Sequence, residues 1–415
     1  MKVSIRANVL LNNVLTIILA FITLTPYMIN SGNNYIKISV FMLWFLSLFL
    51  FVNPRRILDN TLFVFPVLFL VLQIIYIIIG FSGVGLLSVI DRIPIYFIPL
   101  YADIAIERMT KSELKSVSGS IFAIFLFNLI INVIFEGRGL DGGSWVASQT
   151  NYVFSVAIMV LICLYIIISK LQGSNQLKYW AVLVLGTYYL IFVNSRAIST
   201  IVLAVCVIML LFTVYVWKDN RKSYARGMVV LVLIAVLLVN IESILGLMAN
   251  FTGNEWMGEK VNDLVNFING DEIKSYGSLS SRLTLYGASV GTFLSSPLKF
   301  VFGAGEQAIP VASLYYAQLY GIGGHSEFFD LAGEYGLIGI AIVFIWFKNV
   351  YDKLLIPKAH VEERKKVFCV WLMLILYGFV NNIIYGNVFW LTLCYFPIRL
   401  ALMQRENAPN IIQCP

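Results

Sequence analysis

Residues 61–80 read TLFVFPVLFLVLQIIYIIIG and carry no charged side chain. About 20 apolar residues in helical conformation cross the roughly 30 Å hydrocarbon core of a bilayer, and this stretch supplies them in one run. Apolar runs of roughly this length recur from one end of the chain to the other. The 415 residues are 60% hydrophobic and 12% charged, with a mean hydropathy of +0.85, whereas soluble domains carry about 25% charged residues. The short alternating segments of a membrane β-barrel are absent. The fold class is therefore an all-α polytopic membrane protein.

Twelve spans are expected, at about 9–29, 36–52, 61–80, 87–106, 118–135, 152–169, 179–195, 197–217, 227–248, 328–347, 367–384 and 388–404. They divide the chain into an N-terminal membrane bundle over 1–248, a large extracytoplasmic loop with short helices over 249–327, and a C-terminal membrane segment with a short tail over 328–415. The fourth span is interrupted by Asp91, Arg92, Pro94, Pro99 and Asp103. Such residues are tolerated in a span only where neighbouring helices or a wet cavity satisfy them.

Charge sets the orientation, because Lys and Arg favour cytoplasmic loops. With Met1 inside, most of the 29 basic residues fall on the cytoplasmic side, among them Arg55, Arg56, Lys111, Lys115, Lys218, Arg221, Lys222, Arg364, Lys365 and Lys366. Both termini are then cytoplasmic. The net charge of +7 is a topology signal and calls for no nucleic-acid partner. Cys163, Cys206, Cys369 and Cys394 lie in expected spans and Cys414 on the tail, so no disulfide framework is implied. The N-terminal basic and apolar residues lack a convincing small-residue cleavage site and read as the first span.

Residues 249–327 are the one segment with room for structure outside the membrane. Val261 to Ile268 has helical spacing, Ser280 to Leu294 reads as an amphipathic helix, and Pro297 and Gly303-Ala304-Gly305 then break the chain. A loop of this length with its own helices is usually functional.

The end of that loop, Gly321-Ile322-Gly323-Gly324-His325-Ser326-Glu327-Phe328-Phe329-Asp330, places one of only two histidines directly before a helix that enters the membrane. Ser326 is the expected N-cap. The helix end would offer free N–H groups and partial positive charge to a diphosphate or carboxylate. An imidazole there, with an ordinary pKa of about 6.5, can take a proton from a hydroxyl at neutral pH. Glu327, Asp330 and Glu334 fall on one helix face, either functional or paired structurally with Arg196, Arg92 or Arg282. Arg196, in the shortest outward turn, is either a snorkelling anchor or an anion contact whose guanidinium matches phosphate oxygens. Arg282, after Ser280-Ser281, has the same two readings.

With two histidines and no outward cysteine a zinc site is not expected. Phosphate-binding loops, dinucleotide fingerprints and nucleophile elbows are absent from the sequence. No metal and no cofactor are expected, and the energy must come from an activated donor or a gradient.

Arg196 in a short outward turn is followed by a large outer loop with Ser281-Arg282, then Pro297-Leu298 and Gly303-Ala304-Gly305, then His325 and Glu334-Tyr335-Gly336-Leu337-Ile338-Gly339. This ordering resembles the O-antigen polymerase and O-antigen ligase superfamily of bacterial polysaccharide-assembly proteins, with the residue-level match confined to roughly 190–340. Relatives often have His-Asn where this chain has His325-Ser326. The resemblance implies a metal-independent, inverting glycosyltransferase at the outer face of the bacterial inner membrane, using a polyprenyl-diphosphate-linked oligosaccharide. It further implies that Arg196 and Arg282 hold the diphosphate and that His325 activates the acceptor hydroxyl. Arg92 and Arg138 are supporting candidates for the same cationic pocket. A chain-length regulator and a flippase are the partners it implies in the same membrane. Polymerase and ligase differ in the acceptor, a lipid-linked repeat unit or lipid A-core, and polymerase is the favoured reading. The alternative of a different class is a flippase for the same lipid-linked glycan.

Overall fold

The architecture comes from a computed structural model, which describes residues 2–24, 34–51, 54–136, 152–169, 176–193, 197–215, 279–307, 309, 314–357, 359, 363–382 and 387–407. Among them every regular element is helical. The order is α1 Lys2–Leu24, α2 Asn34–Phe51, α3 Pro54–Leu58, α4 Thr61–Ile78, α5 Leu86–Arg108, α6 Lys111–Glu136, α7 Tyr152–Ile168, α8 Leu177–Tyr188 and α9 Ala197–Tyr215. Then come α10 Leu279–Leu294, α11 Pro297–Phe302, α12 Leu314–Tyr320, α13 Glu327–Val350, α14 Arg364–Val380, α15 Asn387–Trp390 and α16 Phe396–Asn407. Wider π-type turns extend α8, α13 and α15.

A described helix overlies each expected span except the ninth, about 227–248, which lies outside the described residues, as do Val261 to Ile268. By length and composition Thr61–Ile78, Lys111–Ile134 and Glu327–Leu355 can cross a membrane, and Leu11–Ile22, Ile38–Phe49, Tyr152–Ile168, Leu177–Val193 and Ser199–Val214 are shorter apolar helices. The interrupted fourth segment is one continuous helix, α5, through both Pro94 and Pro99. It packs against α2 and α4, and its Ile95–Ala102 stretch is buried. Asp103 on it accepts a hydrogen bond from Asn60 Nδ2 at 3.2 Å, so the carboxylate is met by a polar neighbour as burial requires.

Helix association in lipid depends on close packing and interhelical hydrogen bonds, and both are present. Gly378 on α14 lies so close to α13 that a Cβ there would sit 2.5 Å from Phe328 Cε2. Asn12 Nδ2 donates to Ser47 Oγ at 2.6 Å, and Trp44 Nε1 to Thr16 Oγ1 at 3.0 Å, tying α1 to α2. Trp44 also packs on Tyr101 and Trp390, with ring centroids 5.5 and 6.3 Å away. Arg405 closes the C-terminal end of α5 by donating to the carbonyls of Ile106 and Met109, where a cation complements the helix dipole.

Helix α13 is the central element of the C-terminal half, packed against α4, α10, α11 and α14. It kinks at Gly336, whose φ of 60° and ψ of −156° lie outside helical space. The kink leaves carbonyls of the preceding turn open to other donors. Ala304 N–H donates to Gly333 O at 2.8 Å and Gly305 N–H to Glu334 O at 2.9 Å. Pro297 starts a helix here and does not break one, because it follows the N-cap Ser296, whose hydroxyl accepts from Lys299 N–H, and Pro is favoured in that first turn. The break comes at Gly303.

Candidate active site

Helix α10 forms the back wall. Arg282, Tyr286 and Ser289 fall at i, i+4 and i+7, hence on one face. Arg282 Nη1 and Tyr286 Oη both donate to the Val380 carbonyl, each at 3.0 Å. Val380 is the last residue of α14, so this carbonyl lacks an intrahelical partner and sits at the negative end of the helix dipole. Arg282 is 8% exposed. Burial pushes the Tyr286 hydroxyl above its ordinary range, with Arg282 opposing the shift, so it stays a donor.

About two turns beyond Arg282, Ser289 meets the loop that carries His325. Its hydroxyl donates to Asp330 Oδ1 at 2.6 Å and accepts Gly323 N–H at 2.8 Å. The glycines of this loop have a steric reason. A Cβ on Gly323 would lie 2.3 Å from the Leu285 carbonyl oxygen, and one on Gly321, at φ 67°, 2.2 Å from Thr292 Oγ1. The loop thus runs directly along α10.

Ser326 is the N-cap of α13, as expected, accepting Phe329 N–H at 3.3 Å. Its hydroxyl donates to Gly378 O at 3.1 Å, Asn382 Nδ2 donates to Gly324 O at 3.1 Å, and Glu327 N–H reaches Asn381 O at 3.3 Å. The end of α14 therefore holds Arg282 and Tyr286 from one direction and the His325 loop from the other. His325 itself is half-buried.

The expectation of free N–H groups at this helix start needs correcting. Four of the amides around the start of α13 are already taken within the protein: Gly324 and Ser326 N–H go to the Asp330 carboxylate, Phe329 N–H to Ser326, and Glu327 N–H to Asn381. Asp330 is 7% exposed and binds Ser289 and these loop amides. The reason is geometric: helical side chains lean toward the N-terminus, so a carboxylate in the first turn reaches back to its own helix start.

Of the remaining candidates, Glu327 and Glu334 are half-buried on α13, and Glu334 takes Gly305 N–H on its carbonyl. Arg92 lies on α5 with its side chain outside the described residues, and Arg138 and Arg196 are outside them altogether. Tyr286, Ser289, Asn381 and Asn382 were not anticipated. The spacing of 282, 286 and 289 on an amphipathic helix was the available signal for the first two. Nothing in the sequence near 381–382 connects it to position 325.

Residues 181–344 match a family model described as O-Antigen ligase. This stretch belongs to the O-antigen ligase and polymerase superfamily. The O-antigen ligase match takes in Arg196, the α10 wall with Arg282, the Gly303–Gly305 segment and the His325 loop, and ends within α13. The α14 end, on which Arg282 and the His325 loop meet, lies beyond it. Superfamily members are glycosyltransferase-like enzymes. No curated protein matches the chain.

Proposed function

We propose that this chain polymerises polyprenyl-diphosphate-linked oligosaccharide repeat units at the outer face of the bacterial inner membrane. The observation that carries the reading is the meeting of Arg282 and the His325 loop on the end of α14. An anion-matching guanidinium and a proton acceptor are thereby held by the same helix end. In this reading the chain has twelve spans with both termini cytoplasmic, and residues 249–327 face outward.

The chemistry follows from the groups present. The acceptor hydroxyl oxygen attacks the anomeric carbon from the face opposite the diphosphate, and its proton passes to the His325 imidazole. The anomeric C–O bond breaks, and polyprenyl diphosphate leaves with the electron pair, inverting the centre. Negative charge develops on the leaving group, where preorganised cations are most effective. Arg282 donates one N–H to the Val380 carbonyl and carries further N–H donors for phosphate oxygens; Arg196 is the second diphosphate contact. No metal or cofactor enters this reading.

The family description favours a second reading, transfer of finished glycan to lipid A-core. One experiment separates them: the glycan profile of a strain lacking this gene, with lipid-linked intermediates sized by mass spectrometry. Single repeat units, exposed outside on the carrier or capping lipid A-core, mark a polymerase. Finished long chains stranded on the carrier mark a ligase, and single units trapped inside mark a flippase.

A further inference from the structure

Asp330 is a buried membrane-helix carboxylate whose described bonds all lead back to the loop before its own helix and to the wall behind it. Oδ1 accepts the Ser289 hydroxyl at 2.6 Å and Gly324 N–H at 3.2 Å. Oδ2 accepts Ser326 N–H at 3.0 Å. Ser289 adds Gly323 N–H at 2.8 Å. The residues on both sides of His325, and the glycine before them, therefore hang from one Asp–Ser pair. An ionised carboxylate is an acceptor only, and all its partners here are donors. Such charge-assisted bonds are about twice as strong as neutral ones. The Asp330 side chain also occupies the cradle of amides that a substrate anion would otherwise use.

We infer that Asp330, tied to α10 by Ser289, is the positioning residue for His325. Its carboxylate sets the path of the Gly323–Ser326 loop and with it the direction of the imidazole, and it leaves substrate charge to the arginines. Asp330 touches no reacting atom in this scheme. The bond to Ser289 gives the arrangement a further property. Arg282 and Ser289 lie on the same rigid helix, so the diphosphate contact and the proton acceptor are held in fixed register. The inference rests on the glycosyl-transfer reading above.

The test uses the full-length chain in lipid nanodiscs, with lipid-linked repeat units extracted from the gene-deletion strain as donor and acceptor. If that strain shows stranded finished chains, these serve as donor and lipid A-core as acceptor. Asp330→Asn keeps the shape but turns one oxygen into a donor facing an N–H donor. A misplacement of about 1 Å costs about 10²-fold in rate, so kcat should fall by about 10- to 100-fold with KM for the lipid-linked substrate within twofold. Ser289→Ala should lower kcat in the same direction by a smaller factor, and it carries the test alone if Asp330→Asn does not fold. A kcat within twofold of wild type, or a loss falling on KM, would overturn the inference. His325→Ala is run alongside. If His325→Ala is as active as wild type, the transfer reading at this site fails. If it is inactive while the folded Asp330 and Ser289 variants run at full rate, only the positioning role fails.

Discussion

The Ala304 N–H donates to the Gly333 carbonyl at 2.8 Å, joining the segment before the His325 loop to the second turn of α13. The bond is possible because α13 kinks at Gly336 and exposes carbonyls one turn earlier. Two stretches that stand apart in the sequence, Gly303-Ala304-Gly305 and Glu334-Tyr335-Gly336, are thus the two sides of one latch.

Replacing the latch glycines should therefore be costly. Gly336 adopts a conformation essentially reserved for glycine, and a Cβ there would lie 2.6 Å from Gly303 N and Val301 O. Gly336→Ala should destabilise the fold by about 3 kcal/mol or more. Gly80, at φ 71° with no atom within 4 Å of where a Cβ would stand, is the control, with a cost of about 1 kcal/mol. Thermal unfolding in detergent compares the two, and equal shifts would refute the latch.

Beneath the latch, Tyr335 Oη donates to Glu306 Oε2 at 2.5 Å and accepts from Gln73 Nε2 at 3.3 Å. Glu306 is 4% exposed. Tyr335→Phe takes a donor from a buried carboxylate, at a cost of about 1–3 kcal/mol. The expected result is a lower unfolding temperature with purified yield reduced. An unchanged melting curve would show that Glu306 finds another donor without strain.

His325→Ala should cut polymer formation by at least about 10²-fold, the lower range for loss of a general base, with protein abundance in the membrane unchanged. Long-chain glycan on a gel, read against immunoblot signal, measures both. Wild-type polymer in this variant would remove His325 from the chemistry.

Arg282→Lys should lower polymer by about tenfold or more, since an ammonium cannot both hold the Val380 carbonyl and present a planar fork to phosphate. Tyr286→Phe is the comparison, because it removes the other donor to the same carbonyl at about 1 kcal/mol while leaving the guanidinium. If both variants lose the same amount of activity, Arg282 serves only to close α14.

The apolar runs and the N-cap Ser326 were legible because each is a local property. Burial of a run depends on its own length and composition, and a cap depends on residues within one turn. The glycines at 303 and 305 were visible as a break and those at 321 and 323 as part of the loop before His325, but their reason was not. Each makes room for a partner elsewhere in the chain: Glu334, Phe81, Thr292 and Leu285.

By itself the sequence determined that this protein is helical and membrane-borne and that His325 precedes a helix start. Only the tertiary structure decided what that helix start binds. Arg282 reaches Val380 across 98 positions and Ser289 reaches Asp330 across 41. Such pairings are set by which helix faces which, through the summed packing of many side chains. A buried carboxylate then takes whichever donors that packing brings within about 3 Å, and here they were the amides around His325.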